Sequence, residues 1–225
     1  MSRTQPARIA LYYAPPASSD WWRAGCDWLG RDPETNKTIA TAATALTQAP
    51  RRYGWHGTLV APFRLREGVS FQDVLATARA WADGQARFDM RVAPVEMGRF
   101  VALQAVDQGD VHALRTLAER ALRALDSLRE RPSREDNEKR ITASMSARQL
   151  ALLHEWGYPY VLDEFRFHMT LSSSLDSAAL RRGIIEEWST RCDALGPMPF
   201  HSAALFVEPE AGARFELVER LPFPG

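Results

Sequence analysis

"RRYGWHGTLVAPF", residues 51–63, and "FRFHMTLSSSL", residues 165–175, decide how this chain folds. In each, a histidine interrupts an otherwise strand-like run and a threonine follows two places later: His56 and Thr58, then His168 and Thr170. Side chains of a strand alternate between its faces. His56 and Thr58 therefore share one face, and Gly57, Leu59 and Ala61 take the other. In the second stretch Arg166, His168, Thr170 and Ser172 look one way, while Phe165, Phe167, Met169 and Leu171 look the other. Each predicted strand is apolar on one side and chemically equipped on the other. Core packing alone does not ask for that choice of residues.

The two histidines are 112 positions apart in a chain of 225. Around each lie the same parts: a Tyr/Gly approach (Tyr53, Gly54; Gly157, Tyr158), a strand, and then a helix. Matching surroundings at half-length spacing predict a duplication. The expected product is a bilobal α+β fold: two pseudo-symmetric lobes, each an antiparallel sheet with flanking helices, and a cleft between them. Residues 1–225 then form one domain, with an approximate repeat centred on 56–59 and 168–171.

The rest of the chain suits that layout. "RIALYYA", 8–14, reads as a strand stopped by Pro15 and Pro16. Asp20 is placed to cap a helix to Leu29, closed by Gly30. Residues 39–48 are predicted as a short helix. Ser70 caps a helix from Phe71 to about Ala86, with Val74, Leu75, Ala78 and Trp81 on one face. "FDMRVAPVEMGRFVALQAV" reads as two strands broken at Gly98, and residues 111–128 carry a helical apolar stripe. "RERPSREDNEKR", 129–140, has five basic and four acidic residues and reads as a solvated loop in preference to a functional lid. Ser146 and Asp176 are the expected caps of two later helices, the second running to about Cys192. "FHSAALFVEP" and "ARFELVERLPF" close the chain as strands. Interleaved helices with hairpin-like strand neighbours favour an α+β layering over a doubly wound parallel sheet.

Bulk properties narrow the function classes. With 45% hydrophobic residues the chain can bury a core without staples. Basic and acidic residues both number 28, so no global field gathers a long polyanion or an anionic membrane. Cys26 and Cys192 form neither a disulfide framework nor a metal-ligand spacing, and a reducing cytoplasm is the expected compartment. The apolar run from Ile9 is too short for a leader or a membrane span. His112, His154 and His201 have no motif around them. "HEWGY", from 154, has Tyr158 where a zinc motif would need its second histidine.

Two histidines and two threonines on facing strands suit displacement at phosphorus. With an ordinary pKa of about 6.5, one imidazole serves as base and the other as acid near neutral pH. The hydroxyls donate to non-bridging oxygens. No metal or other cofactor is required in principle.

HGTL at 56–59 and HMTL at 168–171 resemble the paired H-x-[ST]-aliphatic signatures of the two-histidine (2H) phosphoesterase superfamily, which includes the RNA ligase-like 2′,3′-cyclic phosphodiesterases. The longer strings "RRYGWHGTLVAPFRL" and "WGYPYVLDEFRFHMTL" look like one branch, found beside phosphonate-utilisation genes. The resemblance implies a bilobal fold and metal-independent hydrolysis of a cyclic phosphate ester. It implies a catalytic pair, His56 and His168, and phosphate binding by Thr58 and Thr170. Relatives often carry Lys two places after the first threonine; here Val60 stands there, facing the same way as His56 by alternation. Arg166 is the expected substitute, with Arg51, Arg52 and Arg64 as further candidates. Tyr53, Tyr158 and Tyr160 are candidates for contact with a sugar or base.

The expected partner is a small cyclic phosphate, with 5-phosphoribosyl 1,2-cyclic phosphate, opened to ribose 1,5-bisphosphate, as the substrate the resemblance suggests. An RNA or nucleotide 2′,3′-cyclic phosphodiesterase is a second enzyme reading, weakened by the zero net charge, although a local groove at RNA ends stays open. A non-catalytic sensor of a nucleotide or sugar phosphate is a third. Binding alone is better served by a permanently charged arginine than by two histidines.

Overall fold

Aromatic and aliphatic side chains along "RIALYY" form β1 (Arg8–Tyr13), buried from Ile9 to Tyr13, on which the main sheet is built. The computed structural model describes residues 5–225; residues 1–4, the start of the stretch expected to lack a leader, lie outside the described residues. After β1 come α1 (Asp20–Leu29), the short hairpin of β2 (Arg31–Asp32) and β3 (Lys37–Thr38), α2 (Gln48–Arg51), β4 (Gly57–Phe63) and α3 (Phe71–Ala82). The middle of the chain gives β5 (Phe88–Met90), β6 (Val92–Met97), β7 (Phe100–Ala105), α4 (Gln108–Leu125), α5 (Arg134–Glu138) and α6 (Ala147–Trp156). The remainder gives β8 (Met169–Thr170), α7 (Ala178–Leu195), β9 (Met198–Phe200), β10 (Ser202–Glu208) and β11 (Glu216–Pro222).

Seven strands form one antiparallel sheet in the order β11-β10-β1-β4-β8-β7-β6. The two expected lobes meet inside it. The first histidine strand, β4, pairs with the second, β8, through Gly57 opposite Met169. Helices α3 and α4 pack on the sheet through strands of both halves, and α7 packs on β6 and β7. The fold is thus α+β, with antiparallel sheets and flanking helices.

Several local expectations need correction. Ser19, not Asp20, caps α1 by accepting from the Trp22 N–H, and Asp20 takes the first turn, where its charge suits the helix dipole. Ser177, not Asp176, caps α7 through the Leu180 N–H. The helix expected over 39–48 is replaced by turns and the four-residue α2. That stretch offers no apolar stripe to bury, and its threonines lose rotamer freedom in a helix. α3 stops at Ala82 rather than 86. Residues 88–90 leave the expected hairpin to pair with β9 as a separate ribbon. The charged stretch 129–140 includes α5, capped by Ser133. Both Ser70 and Ser146 do cap their helices, each in a reciprocal capping box, with Asp73 and Gln149.

The bulge is the correction with most bearing on chemistry. β1 pairs with β4 as Tyr12–Thr58 and Tyr13–Gly57, but the register shifts before Leu11–Val60. An extra residue in β4 reverses the alternation before Val60, and a second, between Val60 and Phe63, shifts it again. Val60, expected to face the same way as His56, is buried. Ala61 and Pro62 line the cleft instead.

Candidate active site

Each histidine is oriented by its own backbone. His56 Nδ1 lies 2.9 Å from the Gly54 carbonyl, and His168 Nδ1 lies 2.9 Å from the Arg166 carbonyl. In both, the acceptor is two residues upstream. A carbonyl can only accept, so each Nδ1 carries the proton and donates, leaving each Nε2 for chemistry. The Gly54 carbonyl can turn back to the ring because Gly54 sits at φ 80°, a left-handed conformation that glycine adopts without penalty.

Strand pairing then brings the two copies together. Gly57 opposite Met169 continues to His56 opposite Thr170 and Thr58 opposite His168, so each histidine lies across from the other copy's threonine. Tyr12 adds a third strand to the Thr58 row. His56, Thr58, His168 and Thr170 all line one cleft of about 450 Å³, together with Tyr12 and Tyr53. Thr58 Oγ1 is 3.4 Å from His56 Nε2, a loose contact.

The core behind the motifs holds this register. Trp55 is fully buried and stacks on Trp188 at 5.4 Å. Trp28 meets Trp188 edge-on at 5.7 Å and donates its indole N–H to the Leu171 carbonyl at 2.7 Å. Three indoles therefore tie the residue before His56 to the last residue of "HMTL". Gly57 is small for a reason: a Cβ there would lie 2.4 Å from the Phe167 ring, whose close approach brings the second motif against the first. Phe167 packs in turn on Tyr13 and Phe200.

The two imidazoles have different neighbours. Tyr12 stacks on His56 at 4.0 Å, and Tyr53 and Phe206 flank it at 6.0 and 6.1 Å. Burial pushes the His56 pKa down to about 4, against a partly offsetting bond from Gly54, with His168 adding to the depression. His56 is neutral at pH 7 and can accept a proton. The Tyr12 phenol, raised well above its ordinary value by burial, stays protonated. His168 is half-buried, with Phe100 at 6.0 Å.

Other expected residues are distributed unevenly. Tyr53 and Tyr158 line the cleft. The Arg166 side chain is exposed and not part of the lining, so its contribution to the site is its carbonyl, not its charge. Arg52 also stays out of the lining: it pairs with Glu208 and donates to the Ala213 carbonyl. Arg51 donates to the Leu29 carbonyl. Tyr160 is exposed and lies edge-on to Tyr158. The resemblance implied a cation near Val60; the cations that line the cleft are instead Arg8 of β1 and Arg140 of the charged stretch. Sequence reasoning missed both, as well as Tyr12, Phe100, Ser173 and Ser174, while Ser172 was placed on the His168 face without a role. The serine run directly after "HMTL" was the one visible signal among them. Ser172 is already engaged, accepting from the Val101 N–H and donating to the Ser173 carbonyl.

Among the described residues, no three His, Cys, Asp or Glu side chains gather as metal ligands would. No helix of the described residues is long and apolar enough to cross a membrane.

A family model described as "Protein of unknown function (DUF1045)" matches residues 58–216. The ribose 1,5-bisphosphate phosphokinase PhnN of Laribacter hongkongensis is 42% identical over 221 residues, covering 93% of this chain and 50% of that protein. The protein of the same name from Janthinobacterium sp. (strain Marseille) is 34% identical over 243 residues, covering 100% of this chain and 52% of that protein. The chain spans about half the length of these relatives. Among solved structures, E. coli LigT complexed with 3'-AMP is similar with a TM-score of 0.47 at 13% identity, covering 99% of this chain and 100% of that one. A structure described as a phosphoesterase has a TM-score of 0.43 at 16% identity, covering 98% and 100%.

Proposed function

We propose, for a chain that belongs to the DUF1045 family, that it hydrolyses a small cyclic phosphate ester by two-histidine acid/base catalysis. One observation carries the reading: two imidazoles, each held through Nδ1 by a carbonyl two residues upstream so that Nε2 is left for chemistry, line one cleft together with Thr58 and Thr170. Neutral His56 takes a proton from water as its oxygen attacks phosphorus. The phosphorus–oxygen bond to the departing alkoxide breaks, and His168, protonated, gives that oxygen its proton. Thr58 and Thr170 donate to the non-bridging oxygens, where charge grows as the fifth oxygen arrives. Proton exchange with solvent then resets the pair. A permanently charged arginine can do neither proton step, which is why the pairing of two histidines favours catalysis over mere binding.

For the substrate we infer a pentose 1,2-cyclic phosphate carrying a 5-phosphate. Loss of the 2-oxygen from phosphorus yields ribose 1,5-bisphosphate, the compound named in both relatives, each about twice as long as this chain. This chain has only Lys37 and Lys139, neither in the G-x-x-x-x-G-K-[ST] setting of a phosphate-binding loop, so the kinase name is not carried over to it.

The test is a panel of cyclic phosphates, including nucleoside 2′,3′-cyclic phosphates, followed by phosphorus NMR with and without a chelator. Turnover of the pentose ester that survives the chelator is the expected result. No turnover of any cyclic ester by a folded, pure sample removes the reading, and a preference for nucleotides moves it to the RNA-end class.

A further inference from the structure

Beside the histidine cleft runs a second groove of about 280 Å³. Arg8, Ala61, Pro62, Arg140 and Tyr158 line both, so the two are one continuous trough. We propose that this groove is a second anion subsite, holding a phosphomonoester that the substrate carries away from its cyclic ester. The proposal rests on the cyclic-phosphate reading for what occupies the first cleft, and it names what sets the substrate class.

Four arginines line the groove: Arg8, Arg64, Arg129 and Arg140. Arg129 is 8% exposed and donates from Nη2 to the Trp156 carbonyl at 2.6 Å. Its Nε and Nη1 have no hydrogen-bond partner, and Nη1 reaches only 3.7 Å from Asp126. Buried donors left without acceptors are costly, and an anion in the groove would relieve that cost. Arg140 donates from Nη1 to the Gly157 carbonyl and is otherwise exposed. Arg64 is exposed, and among the described residues its side chain has no hydrogen-bond partner. The fork of a guanidinium matches phosphate oxygens in pairs, which a lone ammonium cannot do.

Three carboxylates also line the groove, one of them held by arginines. Glu208 is 1% exposed and is bound by Arg8, Arg52 and the Gly212 N–H. Asp136 accepts from the Ser133 hydroxyl and N-terminal backbone of α5 is capped by that same serine. Asp136 stays ionised, its carboxyl held below the usual range by the Ser133 hydroxyl with Arg64 and Lys139 nearby, and Glu130 is exposed at the rim. With Arg8 paired to Glu208, Arg64, Arg129 and Arg140 outnumber Glu130 and Asp136 by one.

Ribose 5-phosphate, a monoester with no cyclic phosphate, tests the subsite separately from the chemistry. It is titrated calorimetrically into wild-type protein, Arg64→Gln, Arg140→Gln and the His56→Ala/His168→Ala double variant. Binding to wild type and to the histidine variant is expected, with Arg64→Gln or Arg140→Gln weakening it about tenfold or more, the scale of a lost charged hydrogen bond. No binding by wild type, or equal binding by both arginine variants, overturns the subsite. Turnover is then compared for pentose 1,2-cyclic phosphate with and without its 5-phosphate. Equal kcat/KM for the two overturns the subsite but keeps the hydrolytic reading. Arginine-dependent binding with no turnover of either ester supports the subsite and removes the hydrolytic reading.

Discussion

The two histidine motifs read almost alike and sit in different surroundings. His56 precedes a seven-residue strand and lies under Tyr12 at 4.0 Å, with Tyr53 and Phe206 close by. His168 precedes a two-residue strand, and Phe100 at 6.0 Å is its aromatic neighbour. Backbone geometry is shared, since both rings donate to the carbonyl two residues back. What differs is the aromatic cover, and over His56 it disfavours an imidazolium. Under the proposed reaction, unequal packing would divide the labour, with the ring covered by Tyr12 as the base and its partner as the acid.

The largest effect that can break this comparison is loss of either ring. His56→Ala and His168→Ala are each expected to lower kcat/KM by roughly 10²- to 10⁴-fold, the usual range for a general acid or base. Steady-state kinetics on the substrate from the cyclic phosphate panel checks this. Near-normal activity in one variant would mean that the two motifs are not partners. Next come the hydroxyls. Thr58→Val and Thr170→Val are expected to cost about 10- to 100-fold each, in kcat more than in KM, as donors to a charged oxygen that strengthen in the transition state.

Smaller and purely structural is the contrast between Gly57 and Met169, which hold the same position in the two motifs. Gly57→Ala would push a methyl into the Phe167 ring, and is expected to destabilise by about 1–3 kcal/mol through overpacking. Urea unfolding followed by tryptophan fluorescence measures it, and an unchanged midpoint would show that the motifs are not held by that contact.

The smallest effect sharpens the assignment of roles. With the His56 pKa near 4, the acid limb of kcat/KM should fall near pH 4, not near the ordinary histidine value of about 6.5. The sign for stability follows from the same depression. Between those values the unfolded chain binds the proton that the folded one refuses, so this contribution is whole above about pH 6.5 and is lost as pH falls toward 4. Tyr12→Ser, which admits water to the ring, should move the acid limb upward. A limb that stays in place in that variant assigns it to another group.

Legibility followed range in the chain. Helices with a serine cap and an apolar stripe, such as α3 and α6, were readable because capping and periodicity are local. The caps Asp20 and Asp176 were misplaced by one residue because neighbouring Ser19 and Ser177 offer the same chemistry to the same N–H groups. Both histidines and both threonines were legible because a two-residue period survives in a short strand whatever it pairs with. Val60 and Arg166 were misread for related reasons. A bulge reverses alternation beyond it, and a long arginine on an extended segment is free to turn toward solvent. Arg8 and Arg140 reach the site from segments far from either motif, and nothing in their neighbours announces it.

The amino-acid order by itself determined which residues could do acid/base work, the class of fold, and the likeness of the two H-x-T-L motifs, since each follows from local period and composition. Tertiary structure alone decided that β4 and β8 are direct neighbours, that Tyr12 covers His56, and that the cations come from β1 and the charged stretch. Desolvation and convergence arise from what packs around a group, and the residues that pack there are distant along the chain.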